Sequence, residues 1–287
     1  VDLQNVEESS RWYPGAGIYR PVTLILTPQE TRIDDWGITT TTELKTLKTR
    51  KEANGKDIMQ FVVEVPIING GKGKPVSLTL IDPDGKETNC TPAPMRDGKA
   101  VGKFTGKFKL WTPETPYLYK VRITLYDGNG NPSVYDDLGK ALDEKTINVG
   151  IRTVSVSKEG GFQLNGVTRK LKGVCLHHDL GPLGAAVNKA ALIRQIKTMK
   201  EMGCDAIRTS HNMPSQWQMD ICDSLGMMVM AESFDMWVYP KCKNGYSRFF
   251  KEWADRDITN LVLANRRHPS IVMWSIGNEI PEQGMQG

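Results

Sequence analysis

The pair Asn278-Glu279 is the feature of this chain that most suggests chemistry. It follows the apolar run 271–276, which has the composition of a buried strand. A carboxylic acid at the tip of such a strand can exchange a proton, and an amide beside it can orient a hydrogen-bonding ligand. The pattern therefore favours acid/base catalysis with Glu279 as the proton-transfer group. Most chemistry of this kind needs a second partner for the carboxylate.

Three further polar clusters each follow a short apolar run, at 177–179, 210–212 and 232–235. The first of them, His177-His178-Asp179, also permits a metal site. Metal-dependent hydrolases on barrels tend to use a His-x-His pair with further His and Asp ligands, whereas this chain has 4 histidines in all. We therefore assign no metal ligand, and we keep the clusters as candidates for binding and catalysis.

The apolar runs before the clusters alternate with helical patterns. Asn188 and Ser215 can cap two helices that stop at Gly203 and Gly226, and a third amphipathic pattern spans 250–262. This alternation predicts βαβ units and a parallel sheet, so the four clusters converge on its carboxyl edge. Four units are half of an eightfold barrel, which has about 250 residues when complete. A doubly wound sheet has the same periodicity, but no GxGxxG or Walker loop follows any strand.

The first half of the chain has a different period. The stretches 57–65, 76–81 and 117–126 are rich in β-branched and aromatic residues and partly alternate between apolar and polar. Turn sequences follow the last two of them, at 82–85 and 127–130. Short strands with turns at this spacing predict a β-sandwich up to about residue 150.

Composition limits the partners and the cysteine chemistry that we expect for this protein. The chain has 287 residues and a formal net charge of +4, and this near balance gives no reason to expect nucleic acid or a membrane as partner. Its 5 cysteines form no CxxC pair, which favours free thiols over a disulfide framework or a zinc site. No signal-peptide layout opens the sequence, which leaves the compartment open: cytoplasmic, periplasmic or secreted.

Seven stretches run in order along nearly the whole chain: Trp12–Arg20, Trp111–Tyr119, Gly150–Thr153, Leu164–Gly166, Gly173–His177, Arg208–His211 and His268–Glu279. Together they resemble glycoside hydrolase family 2, retaining β-glycosidases that include β-galactosidases, β-glucuronidases and β-mannosidases. The resemblance implies three parts: 1–28 as the tail of an N-terminal jelly-roll sugar-binding domain, 29–149 as an immunoglobulin-like β-sandwich, and 150–287 as the first half of a (β/α)8 TIM barrel.

The resemblance also implies roles for individual residues. Glu279 matches the general acid/base, and Asn278 matches the residue that contacts the 2-hydroxyl of the sugar. His211 matches a histidine that lines the sugar pocket and assists the transition state. His177 and Glu232 match a histidine after the first barrel strand and an acidic residue after the third, so both are candidates for substrate binding.

Two positions leave alternatives open. The family often carries Glu directly after the histidine that His177 matches, but this chain has His178 there. Any metal or sugar role of that acidic position is therefore in question. Trp237, with Phe234 and Tyr239 near it, can stack on a sugar face or pack the loop, and we take Trp237 as a candidate substrate-binding residue.

The expected activity is hydrolysis of non-reducing terminal β-linked sugars by double displacement, most simply as a β-galactosidase. β-Glucuronidase, β-mannosidase and a non-catalytic scaffold are the alternatives. The chemistry requires no cofactor, although a structural Mg or Na ion stays open. The family nucleophile is expected beyond residue 287, so the chain alone should hydrolyse little or nothing. A half barrel leaves an open sheet edge, which favours homo-oligomers.

Overall fold

The computed structural model describes residues 4–12, 17–27, 31–45, 58–69, 74–90, 95, 97–128 and 138–284, with side chains of the second strand described only through residue 43. Residues 13–16 of the first family motif and the end of the 127–130 turn lie outside the described residues. The chain divides into two compact units, one of residues 24–169 and one of residues 1–23 with 170–287. This division into units does not test the predicted domain bounds, 1–28, 29–149 and 150–287, which stay a prediction.

The unit of residues 24–169 is built from strands. They are β1 (Arg32–Ile33), β2 (Thr39–Lys45), β3 (Ile58–Ile68), β4 (Val76–Ile81), β5 (Glu87–Cys90), β6 (Lys99–Gly106), β7 (Tyr119–Tyr126), β8 (Ala141–Val149), β9 (Val154–Ser157), β10 (Gly161–Leu164) and β11 (Val167–Thr168). One antiparallel sheet joins β1, β2 and β6 to β3, and a second has the order β5-β4-β7-β8. A third, small sheet has the order β11-β10-β9.

One apolar core joins the two larger sheets. Phe61, Val63 and Val65 of β3 point into it at alternate positions, and so do Val121 and Ile123 of β7. Alternation of this kind buries one face of each strand and leaves the other for water. The predicted β-sandwich is confirmed, and the predicted strand 76–81 coincides with β4.

The other unit alternates strands and helices. Its elements are β12 (Gly173–Leu176), α1 (Lys189–Glu201), β13 (Ala206–Thr209), α2 (Gln216–Leu225), β14 (Met228–Glu232), α3 (Phe250–Asn265) and β15 (Ile271–Ser275). The four strands form a parallel sheet in the order β12-β13-β14-β15. This is the predicted start of a (β/α)8 barrel, and the described strands do not close it.

The helix ends follow the predicted capping chemistry. Asn188 accepts a hydrogen bond from the backbone N–H of Ala191 at 3.0 Å, and α2 ends at Gly226, which has φ +73°. Ser215 accepts in the same way from Gln218 N–H at 3.2 Å. Met202 is the C-cap of α1 and is 63% exposed, because the helix ends one residue before it.

Candidate active site

The site is built on the carboxyl edge of the barrel sheet. Parallel register sets Cys175, Arg208 and Met230 side by side on β12, β13 and β14. Their neighbours Ile207 and Val229 belong to the apolar core that the helices cover. Because successive side chains of a strand point to opposite faces, Arg208 lies on the face away from the helices. In a closed (β/α)8 barrel that face is the interior.

Glu232, the last residue of β14, is a fully buried carboxylate with three side-chain donors. Its Oε2 accepts from Arg208 Nε at 2.8 Å and from Ser275 Oγ at 2.6 Å. Its Oε1 lies 2.5 Å from His211 Nδ1. This contact joins a carboxylate oxygen to a ring nitrogen at hydrogen-bond distance. Glu232 thereby sets the positions of Arg208 and His211.

Both polar atoms of the Asn278 side-chain amide make hydrogen bonds. Its Oδ1 accepts from Arg208 Nη2 at 2.9 Å, and its Nδ2 donates to Asp235 Oδ1 at 3.2 Å. The partners fix the amide orientation, because a guanidinium only donates and a carboxylate only accepts. The backbone N–H of Asn278 donates to the carbonyl oxygen of Phe234 at 2.9 Å. The amide is therefore preset before any ligand arrives.

Glu279 follows this anchored residue and differs from it in exposure. Glu279 has an exposed side chain and a backbone φ of +45°, whereas Asn278 is buried. Positive φ is uncommon for a residue with a side chain and persists where the surroundings hold the backbone. Here Lys241 Nζ donates to the carbonyl oxygen of Asn278, directly before Glu279. The held backbone presents an exposed carboxyl group at the edge of the sheet.

The loop between β14 and α3 makes hydrogen bonds to the residues that follow β15, which we call the strand tip. The indole Nε1 of Trp237 donates to the carbonyl oxygen of Ile276 at 2.8 Å. The backbone N–H of Tyr239 donates to Oε1 of Glu282 at 2.6 Å. Trp237 also stacks on Phe250, with 5.9 Å between ring centroids. The indole N–H of Trp237 is therefore bonded to the backbone that follows β15.

His177 lies next to His211 under an aromatic ring. The ring centroids of His177 and Trp12 are 3.9 Å apart, and those of His177 and His211 are 5.2 Å apart in an edge-on contact. Burial lowers the pKa of His177, and the neighbouring His211 and His178 lower it further. His177 is therefore neutral near pH 7, as a hydrogen-bonding residue in a sugar pocket can be.

Two family models match the chain: "Glycosyl hydrolases family 2" at residues 31–152 and "Glycosyl hydrolases family 2, TIM barrel domain" at residues 154–286. The chain belongs to glycosyl hydrolase family 2. The first family 2 model covers strands β1 to β8, and the second covers the small sheet of β9 to β11 and the barrel elements β12 to β15 with their helices. The resemblance drawn from the seven motifs is confirmed.

Relatives of this family 2 chain carry several names. It is 40% identical to "Beta-galactosidase BoGH2A" of Bacteroides ovatus over 99% of this chain and 32% of that protein. It is 36% identical to "Putative beta-glucuronidase" of Formosa agariphila over 96% of this chain and 25% of that protein. A crystal structure of a beta-glycosidase from Bacteroides vulgatus matches with TM-score 0.79 and 34% identity, over 96% of this chain and 33% of that one. The chain therefore spans about a quarter to a third of the length of these relatives.

The fold of this family 2 chain brings five of the six predicted site residues into one connected group. Glu232 contacts His211, which contacts His177; Arg208 links Glu232 to Asn278, and Glu279 is next in the chain. Trp237 joins through the backbone of the strand tip rather than through these side chains. The substrate and proton-transfer roles of all six stay predictions.

Sequence reasoning missed four side chains that build the group. Arg208 and Trp12 were named only as parts of sequence motifs, and Ser275 and Asp235 were not given roles. Trp12 covers His177, and Ser275 and Arg208 complete the shell around Glu232. Arg208 could have been found, since an inward-facing arginine one residue before the end of a buried strand needs a carboxylate partner.

Within the described residues, one group of side chains has metal-compatible spacing: Asp220, Asp223 and His268. Asp223 accepts from Ser270 N–H at 3.1 Å and lies 2.6 Å from His268 Nδ1. These contacts already join α2 to the start of β15 without an ion. The predictions that no cofactor is required and that Mg or Na is at most structural stay predictions. No helix among the described residues is long and apolar enough to span a bilayer.

Proposed function

We propose that the protein containing this chain is a retaining β-glycosidase in which Glu279 is the general acid/base. The supporting observation is the exposed carboxylic acid of Glu279 beside the preset amide of Asn278. In glycoside hydrolysis such an acid protonates the leaving oxygen and later activates water. Asn278, His211 and His177 form the sugar-binding wall around it.

Glu232 acts in this proposal through other residues. It is 0% exposed, and its carboxylate accepts from three protein donors. It therefore positions His211 and Arg208 rather than touching the sugar. Trp237 likewise positions the backbone that carries Glu279, through its bond to Ile276.

The nucleophile of the proposed reaction comes from another part of the whole protein. A retaining enzyme needs a second carboxylate about 5–5.5 Å from the acid. Glu232 is enclosed by donors, and Asp235 is bound by Arg11 and Asn278. Neither is free to attack an anomeric carbon. The chain of residues 1–287 by itself is expected to hydrolyse little or nothing.

A β-galactoside is the substrate that we propose first. The support is the identity of 40% to a protein named as a beta-galactosidase. A β-glucuronide is the second candidate, because a relative 36% identical is named as a putative beta-glucuronidase. Comparison of kcat/KM for nitrophenyl β-galactoside, β-glucuronide and β-mannoside with the whole protein distinguishes these substrates.

The test of the proposed role replaces Glu279 by Gln and by Gly in the whole protein. Loss of general acid catalysis should lower kcat/KM about 10²–10⁴-fold for substrates with poor leaving groups. Substrates with activated phenols should lose much less, since their leaving oxygen needs no proton. Azide should restore turnover of such activated substrates by the Gly variant and yield a β-glycosyl azide.

A matched control is Glu252→Gln, which changes an exposed glutamate in the first turn of α3. It should leave kcat/KM within about twofold of the unmodified protein, as surface changes usually do. Unchanged activity of both Glu279 variants on every β-glycoside would contradict the proposal and favour a scaffold role.

A further inference from the structure

Two apolar side chains of the loop between β14 and α3 face solvent beside the strand tip. Val238 is 46% exposed, and the following Tyr239 is 54% exposed. Phe234 and Trp237 of the same loop stack on rings of the protein, whereas among the described residues Tyr239 contacts no other aromatic ring. Large exposed apolar side chains that adjoin a polar site are candidates for contact with a ligand. The packing of the loop does not account for the exposed ring of Tyr239.

The backbone that carries Tyr239 is anchored from both sides. Trp237 and Lys241 each donate a hydrogen bond to a backbone oxygen of the strand tip. The N–H of Tyr239 itself donates to Oε1 of Glu282 at 2.6 Å. Pro240 follows directly and confines Tyr239 to extended backbone conformations. The ring is therefore presented by a loop that is already ordered, which lowers the entropy cost of binding.

The anchors place this loop alongside the segment that carries Glu279. Their acceptors belong to Ile276, Asn278 and Glu282, which lie on either side of Glu279 in the chain. Tyr239 is bonded to the last of these acceptors, beyond Glu279. Tyr239 therefore lies next to the backbone of the proposed acid/base, towards the residues that follow it.

The sugar-binding wall lies towards the other edge of the sheet. His177 and His211 follow β12 and β13, whereas the Tyr239 loop follows β14 and bonds beyond the end of β15. The acid of a glycosidase protonates the oxygen that joins the sugar to its leaving group. The acid therefore stands between the region that holds the sugar and the region that holds the leaving group. In the proposed reaction, a sugar that lies against the two histidines directs its leaving group towards Tyr239.

We propose that Tyr239, together with Val238, is a specificity-determining residue on which the leaving group of the substrate stacks. The ligand class is a leaving group with a flat apolar face, either the ring of a second sugar or an aryl group. The proposal rests on the proposed β-glycosidase function with Glu279 as acid/base. A tyrosine suits this contact because it offers a large, rigid face at low entropy cost, and its hydroxyl can bond to a sugar hydroxyl.

The experiment compares three substrates with Tyr239→Ala in the whole protein. They are the β-glycosyl fluoride, the nitrophenyl β-glycoside and a β-linked disaccharide of the same sugar. The fluoride has no ring in its leaving group, so its kcat/KM should stay within about twofold of the unmodified protein. The kcat/KM of the two ring-bearing substrates should fall about threefold to tenfold, the size expected for the loss of one aromatic contact. Tyr239→Phe keeps the ring face and should retain most of the activity.

Tyr117→Ala is the matched control, because Tyr117 is 39% exposed and belongs to the other unit of the chain. It should leave all three values of kcat/KM in place. A fall confined to the ring-bearing substrates supports the proposal, and the larger of the two falls shows whether the ring is that of a sugar or an aryl group. An equal fall for the fluoride, or no fall for any substrate, overturns it.

A second variant tests the same contact if Tyr239→Ala does not fold. Tyr239→Leu keeps much of the bulk without the flat ring. A fall confined to the ring-bearing substrates then supports the proposal, and its absence overturns it. Failure of the Glu279→Gly azide test removes the proposed function itself, whereas an unchanged Tyr239→Ala profile in a protein that passes that test removes only the leaving-group contact.

Discussion

At the residue scale, a buried carboxylate organises the candidate site. Glu232 has no exposed surface, and an uncompensated charge there would be costly. Arg208, His211 and Ser275 supply the compensation from β13, the loop after it and β15. The same contacts that satisfy the charge also hold the groups that face a ligand. Stability and geometry of the site therefore depend on the same residues.

Removal of Arg208 should destabilise the chain. Arg208→Ala leaves Glu232 buried with fewer donors, and breaking such a pair costs about 3 kcal/mol. Urea denaturation monitored by circular dichroism measures the loss. Arg194→Ala, which changes an exposed arginine on α1, is the control and should alter stability by less than about 0.5 kcal/mol. Equal effects of the two variants would contradict the assigned role of the Arg208–Glu232 pair.

His177 should make stability depend on pH. Its folded-state pKa is lowered from 6.5, so below pH 6.5 the unfolded chain takes up a proton that the folded chain resists. The stability contributed by the neutral ring is present above pH 6.5 and is lost as pH falls from there towards the folded-state pKa. Urea midpoints between pH 5 and 7.5 should fall more for the unmodified chain than for His177→Asn. Parallel pH curves would contradict this assignment.

At the scale of elements, capping decides where the helices begin and hence where the loops of the site start. Asn188 and Ser215 were recognised from the sequence because a side-chain oxygen before an apolar periodic run satisfies a free N–H. The braces of the strand tip were not recognisable in this way. Trp237 and Lys241 reach the backbone of 276–278 from a different loop, and no local pattern encodes that distance.

Loss of the α1 cap should have a modest, local cost. Asn188→Ala removes the acceptor for Ala191 N–H and should lower the free energy of unfolding by about 1 kcal/mol. Asn188→Ser retains a capping oxygen and should restore most of it. Lys197→Ala, on the exposed side of α1, should have little effect. A cost for Ser equal to that for Ala would exclude the cap as the cause.

At the scale of the whole molecule, the barrel sheet of the described residues has four strands. Its two outer strands, β12 and β15, each pair with a neighbouring strand on one side only. Trp274 is 41% and Ile276 56% exposed beside the β15 edge. Unpaired edges and exposed apolar side chains favour association. We propose that the chain of residues 1–287 forms homo-oligomers through the open part of its barrel.

Light scattering over a wide concentration range should show mass increasing with concentration. Trp274→Lys should shift the equilibrium towards monomer, since lysine on an edge strand discourages pairing. Lys158→Ala, in the exposed turn between β9 and β10, is a control that should not change it. A constant monomer mass for the unmodified chain would contradict the proposal.

The sequence by itself determined the sandwich, the strand–helix alternation, the two capped helices and the family, because these depend on local periodicity and on motif order. It also indicated Glu279, Asn278, His211 and His177 as candidate site residues, since residues that follow parallel strands lie at the same edge of the sheet. Only the tertiary structure decided that Glu232 is enclosed by Arg208 and Ser275, that Trp12 covers His177, and that Asp235 lies between Arg11 and Asn278. Those contacts join residues up to 224 positions apart, and side-chain packing across such separations has no signature in a local pattern.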